Sequence, residues 1–287
     1  MHTLHTGETD MFRWQTLLIL IAVSTTAFAG DWHYGVNLVC SDCHTQHNSE
    51  NGQPMRTDNN PTPAPQLLRR GSALELCLSC HDGSKAEAPD VVAPIGYVSD
   101  CAGGAFANTG SVATAKSHHL NNATPEVPPG GMVPMILMCT TCHDPHGNDN
   151  YRNLRPDPSK SGLTPVTVLA VQTNRANGSN PAQVYVPSNI IYKSGVSKWC
   201  GQCHGAPTHH SIDKPLWGSS AADYSAWAAT TLSRVPVQSA TDNAIPSNDD
   251  QVICISCHKA HGSDNDHLLI YADGTTQNST CGECHNP

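Results

Sequence analysis

Cys139-Thr140-Thr141-Cys142-His143-Asp144-Pro145-His146-Gly147 is the stretch on which the reading of this chain turns. Its first five residues have the C-x-x-C-H spacing at which two thiols bond to the vinyl groups of a c-type haem and the adjacent histidine ligates the iron. They form about one turn, so three anchors meet one porphyrin. His146 shares a helix face with His143, with Cβ atoms about 5–6 Å apart. The proximal side of that ring is already taken by His143, so His146 is expected to serve a neighbouring haem.

The same motif occurs six times: Cys40–Cys43–His44, Cys77–Cys80–His81, Cys139–Cys142–His143, Cys200–Cys203–His204, Cys254–Cys257–His258 and Cys281–Cys284–His285. Twelve of the 13 cysteines are thereby used. Zinc ribbons built from C-x-x-C knuckles are the alternative, but zinc does not need a histidine directly after each knuckle. With 17 histidines in 287 residues, that placement at all six has a chance probability below about one in a million. Six covalently bound c-type haems are therefore expected.

The first, third and fifth motifs continue to a second histidine, giving His44–His47, His143–His146 and His258–His261, whereas the others do not. This alternation implies three two-haem units, over residues 30–100, 101–206 and 207–287, each too small to bury its haem pair alone. The expected fold is a multihaem cytochrome c, mostly coil with short helices and few short strands, its core formed by stacked haems.

Residues 1–29 read as a signal peptide: Arg13 in the n-region, an apolar run from Leu17 to Val23, and Ala27-Phe28-Ala29 as the cleavage site, with Met11 an alternative start. The run is too short for an ordinary transmembrane helix. Export to the cell surface or medium is expected, with the periplasm as the alternative. Cys101, the unpaired cysteine, is read as a buried inert thiol, with an intermolecular disulfide as the alternative.

Charged residues make up only 14% of the chain and aromatics 5%, while Gly and Pro are abundant. The protein thus supplies little packing of its own. Pro61–Pro65, Pro125–Gly131 and Asn174–Pro181 read as linkers or surface loops. Ser72 is expected to cap a helix running into Cys77 and Cys80, with Leu74, Leu76 and Leu78 near the ring, and Ser220–Thr231 has helical composition. Val166–Gln172 and Val184–Tyr192 are candidate strands. The formal charge of −9, made more negative by haem propionates, disfavours nucleic acid. Cations, oxidised metal species and basic electron-transfer proteins suit it better. The sequons at Asn122, Asn177 and Asn278 matter only in a host that glycosylates exported proteins.

Six proximal histidines, and two in the leader, leave His33, His47, His118, His119, His146, His209, His210, His261 and His267 for six distal positions. A haem held by two histidines is coordinatively closed and only changes oxidation state. The surplus therefore points to electron transfer and away from an enzyme. His47, His146 and His261 lead by repetition, then His33. Each of the pairs His118–His119 and His209–His210 is expected to give at least one ligand, and His267 is read as a supporting or surface residue. Met132, Met135 and Met138 are assigned to packing against the third haem.

The order His33, CSDCHTQHNS, plain CLSCH, CTTCHDPHG, plain CGQCH, CISCHKAHG and a terminal CGECH resembles the extracellular cytochrome nanowires of metal-reducing bacteria, the hexahaem OmcS type. The resemblance covers the motifs and their flanks, not the linkers. It implies six bis-histidine haems in a continuous stack and head-to-tail polymerisation into a conducting filament that delivers electrons to extracellular acceptors such as metal oxides. It also implies that His47 completes a haem of the next subunit, the one on Cys254 and Cys257. Two departures from the family's pattern concern the distal ligands: no histidine lies between His81 and His118, or between His210 and the fifth motif. A monomeric periplasmic shuttle or respiratory-complex subunit is the alternative, followed by a multihaem oxidoreductase, for which a C-x-x-C-K variant is absent.

Overall fold

A computed structural model of the chain describes residues 33, 38–50, 53–85, 88–92, 103–106, 116–131, 133–160, 162–172, 190–205, 211–215, 236–239, 250–271 and 280. The leader, Cys101, Met132, Asn174–Pro181, His209, His210, Ser220–Thr231 and the sixth motif lie outside these residues, as does most of Val184–Tyr192.

Most of the described chain is coil. The helices are α1 (Cys40–Cys43), α2 (Ala73–His81), α3 (Cys139–Cys142), α4 (Val196–Cys200) and α5 (Cys254–Cys257). Three of them are no more than the C-x-x-C turn itself, fixed the same way each time. The residue before the second cysteine accepts from the backbone N–H preceding the first: Asp42 from Val39 at 2.8 Å, Thr141 from Met138 at 3.0 Å and Ser256 from Ile253 at 3.0 Å. This is half of a capping box, and it satisfies a donor that a single-turn helix leaves unpaired. The expected longer helix is α2, where Ser72 Oγ accepts from Glu75 N at 3.2 Å, as an N-cap serine should.

Strands pair only as short antiparallel ribbons: β1 (Ser49–Glu50) with β2 (Gln53–Pro54), β3 (Leu169–Gln172) with β4 (Ile190–Ser194), and β5 (Lys214–Pro215) with β6 (Gln251–Val252). β3 begins three residues later than the apolar run suggests. Val166 N donates to Pro156 O and Val168 N to Asn150 Oδ1, so this part of the run is tied to the turn after the third motif rather than to β4. Packing between side chains forms two small clusters: Tyr151, Val168, Tyr192, Val196, Ile253 and Ile255, and separately Leu74, Phe106 and Leu120.

Candidate haem sites

The odd-numbered motifs share a local scaffold that their sequences do not advertise. A tight turn follows each of them, over Pro65–Leu67, Tyr151–Asn153 and Asp266–Leu268. Its two central residues are left-handed: Gln66 and Leu67 (φ 54 and 54), Arg152 and Asn153 (55 and 55), His267 and Leu268 (59 and 59). Such a type I′ geometry normally selects Asn or Gly. It turns the first central carbonyl toward the motif, where Nδ1–H of the proximal histidine donates to it: His44 to Gln66 O at 2.9 Å, His143 to Arg152 O at 2.9 Å, and His258 to His267 O at 2.8 Å. Backbone bonds on either side lock the turn down, such as Thr45 N to Leu67 O and Arg69 N to Cys43 O, each with counterparts in the other two units.

The second and fourth motifs use a proline carbonyl instead. His81 Nδ1 donates to Pro89 O at 2.8 Å, and the Pro129 backbone serves His204. The segment Pro125–Gly131 is therefore not a linker: Gly205 N donates to Pro129 O at 3.3 Å, and Gly130 and Gly205 meet so closely that a Cβ on Gly205 would lie 2.6 Å from Gly130 O. With Nδ1 occupied, the nitrogen left for a metal is Nε2, the usual arrangement around a ligating imidazole.

Two imidazoles on opposite sides of one metal, bonded at about 2.0–2.1 Å with ring centres about 1.1 Å further out, stand about 6.3 Å apart. Among the described residues, four histidine pairs have that spacing. His44 and His146 are 6.2 Å apart between ring centres, His33 and His81 5.9 Å, His143 and His261 6.3 Å, and His118 and His204 6.0 Å. Each pair joins one proximal histidine to one histidine from a distant part of the chain. The residues present thus fit bis-histidine haem, and the second and fourth motifs, which have no following histidine, meet His33 and His118.

The remaining candidates are placed differently. His47 is exposed on a rigid base, its neighbour Asn48 being left-handed (φ 53) and buried, with Nδ2 donating to Pro61 O at 3.0 Å. His119 is buried, its Nδ1 3.1 Å from Glu126 Oε1, and its Nε2 has no hydrogen bond. His267 contributes a carbonyl rather than a ring. Met138 packs beside Cys139, but Met135 Sδ lies 3.9 Å from Cys203 Sγ, at the fourth motif rather than the third.

The thiols run in sequence order. Burial, then Asp42, then Cys77 and Cys80 push the Cys43 thiol up. A hydrogen bond with Cys139 raises Cys77, and burial followed by Cys203 raises Cys142 to about 12. A hydrogen bond from Cys200 holds Cys254 down to about 7. Motifs one to five are thus successive neighbours.

A family described as the doubled CXXCH motif matches residues 246–287. The C-type cytochrome OmcS of Geobacter sulfurreducens is 24% identical over 88% of this chain and 82% of its own length. The chain resembles the OmcS-type cytochromes. Covalently bound c-type haem is its cofactor. Two solved structures share the fold: the Outer Membrane Cytochrome S filament (TM-score 0.55, 22% identity, covering 82% of this chain and 84% of that one) and a cryo-EM structure of the OmcS nanowires, both from Geobacter sulfurreducens (TM-score 0.51, 23% identity, 85% and 89%). No helix among the described residues is long and apolar enough to cross a membrane.

Proposed function

We propose that this chain carries six bis-histidine haems and conducts electrons along them as the repeating subunit of an extracellular filament. The observation that supports this best is the set of four histidine pairs at 5.9–6.3 Å. The assignments that follow are His44 with His146, His81 with His33, His143 with His261, and His204 with His118. The haems on His258 and His285 take their second ligands from His119, His209, His210 and His47.

Haem supplies a reversible one-electron couple; everything else is done by the chain. Carbonyls fix the proximal imidazoles, distal imidazoles close the irons against substrates, and successive C-x-x-C turns keep the rings in line. His47 is exposed and has no ring partner among the described residues, which suits a ligand for a second copy of the chain. A bond of that kind from one end of a subunit to the other end of the next generates an open, head-to-tail polymer. The names of the two related structures, a filament and nanowires, agree with this reading. Export by the leader, the three two-haem units, and delivery of electrons to metal oxides or redox proteins complete the proposal.

Mass spectrometry of the secreted protein should give six haems per chain, and electron micrographs should show filaments. His47→Ala should leave monodisperse particles with full haem content. If this variant instead keeps filaments, the subunit contact lies elsewhere; if the natural chain is itself a monomer in dilute solution with all six haems low-spin, and His47→Ala turns one of them high-spin, His47 is an intramolecular ligand and the chain a monomeric shuttle.

A further inference from the structure

The imidazole planes of the four pairs differ widely in relative angle. His44 and His146 are nearly parallel at 15°, His33 and His81 are at 48°, His118 and His204 at 53°, and His143 and His261 at 66°. Only the last pair has an aromatic neighbour against a ligand among the described residues: the Phe106 ring centre lies 4.6 Å from that of His261, with the planes 20° from parallel.

Phe106 is well placed to dictate that plane. Its side chain is buried with Leu74 and Leu120, and its N–H donates to Val91 O at 2.8 Å. The short segment that carries it is bonded directly to the backbone of His261, which donates to Gly103 O at 2.7 Å, while Ala105 N donates to Gly262 O at 3.1 Å. A Cβ at Gly103 would stand 3.5 Å from His261 Nδ1, so this segment lines the ring. His143 has its plane set by the carbonyl of Arg152, whereas the buried Nδ1 of His261 has no hydrogen bond of ordinary geometry and only a weaker contact with the Gly104 backbone. Stacking on Phe106 is therefore the main orienting contact on the ring, at a spacing and near-parallel angle that suit the offset-stacked mode aromatic rings prefer.

The angle matters because each imidazole donates π density to the iron perpendicular to its own plane. Parallel rings act on the same iron d orbital and separate it from its partner. Crossed rings act on both and leave them nearly degenerate. We propose that Phe106 is a positioning residue that fixes the plane of His261 and so makes the third haem a crossed-ligand, highly anisotropic ferric centre, distinct from the parallel-ligand first haem. This rests on the bis-histidine reading of the third haem.

Low-temperature EPR of the oxidised holoprotein tests it. The natural chain should show both a rhombic low-spin signal and one with a large maximum g value. Phe106→Leu, which keeps an apolar side chain but no ring face, should convert one haem's share of the large-g signal to rhombic at unchanged haem content, and Phe106→Tyr should retain it. An unchanged spectrum in fully loaded Phe106→Leu overturns the proposal, as does loss of the signal in Phe106→Tyr. Should Phe106→Leu not load haem, the natural chain decides: absence of any large-g component overturns the proposal. Failure of the ligand reading looks different, since the natural protein would then show a high-spin signal or take up cyanide at the third haem.

Discussion

A histidine's role here depends on which of its atoms the fold uses. His146 presents its ring to His44, whereas His267 presents its carbonyl to His258 and leaves its ring exposed. His146→Ala should therefore open one iron, seen as a single high-spin haem that binds cyanide, with all covalent attachments intact. His267→Ala should leave the low-spin spectrum unchanged, because alanine keeps the carbonyl. Burial above all holds His33, His118, His143, His204 and His261 below the ordinary value of 6.5, and His261 as far as about 3. The unfolded chain then binds more protons than the folded one in the acid range, so stability is complete above pH 6.5 and is lost as pH falls through the depressed values. Iron ligation works in the same direction, since a protonated imidazole cannot bind metal. A Soret titration should thus keep the second, third and fourth haems low-spin through the ordinary histidine range and lose that form only in stronger acid.

At the level of elements, the recurring unit is a C-x-x-C turn plus the left-handed turn that reaches back to it. Non-glycine residues in that conformation cost about 1–2 kcal/mol each, and the hydrogen bond to the proximal histidine helps to hold them there. Asn153→Gly should relieve part of this cost and raise the melting temperature slightly, while Asn153→Val should lower it. Two glycines at the same motif position behave differently. A Cβ added at Gly147, after His146, would meet nothing within 4 Å, so Gly147→Ala faces only the penalty of its φ of 88°, about 1 kcal/mol. Gly262, after His261, would drive a Cβ to 2.6 Å from Ala105 O and 2.8 Å from Lys116 O. Gly262→Ala should cost about 2–4 kcal/mol in thermal or denaturant unfolding. It should also disturb the spectra of the third and fourth haems together, because His261 and His118 are bonded through this contact.

Over the whole molecule, segments far apart in the sequence interlock. Residues 103–106 and 116–118 dock on residues 259–263: Gly104 and Ser117 bridge to Gly262, and His118 Nδ1 donates to Ala260 O at 2.7 Å. Two of the four histidine pairs, His44–His146 and His143–His261, also cross from one proposed two-haem unit to the next, so bis-histidine ligation as proposed would tie them together. With only two small apolar clusters among the described residues, the chain depends on its cofactor for cohesion. Replacing both cysteines of the third motif by alanine should abolish the cooperative unfolding transition rather than shift it, as measured by calorimetry on the exported product.

The sequence alone determined the chemistry. Cysteine and histidine spacing within five residues is set by covalent reach, so the cofactor, the alternation of motifs and the capped helix after Ser72 were all legible. Partnerships between residues far apart in the chain were not, because nothing local in His33 or His118 records which proximal histidine it will face. Nor did Gln66, Pro89, Pro129, Arg152 or His267 show that a backbone carbonyl would orient an imidazole, since every residue has one and only the path of the chain aims it. Tertiary structure made those choices, through left-handed turns and glycine contacts that bring distant segments within hydrogen-bond reach.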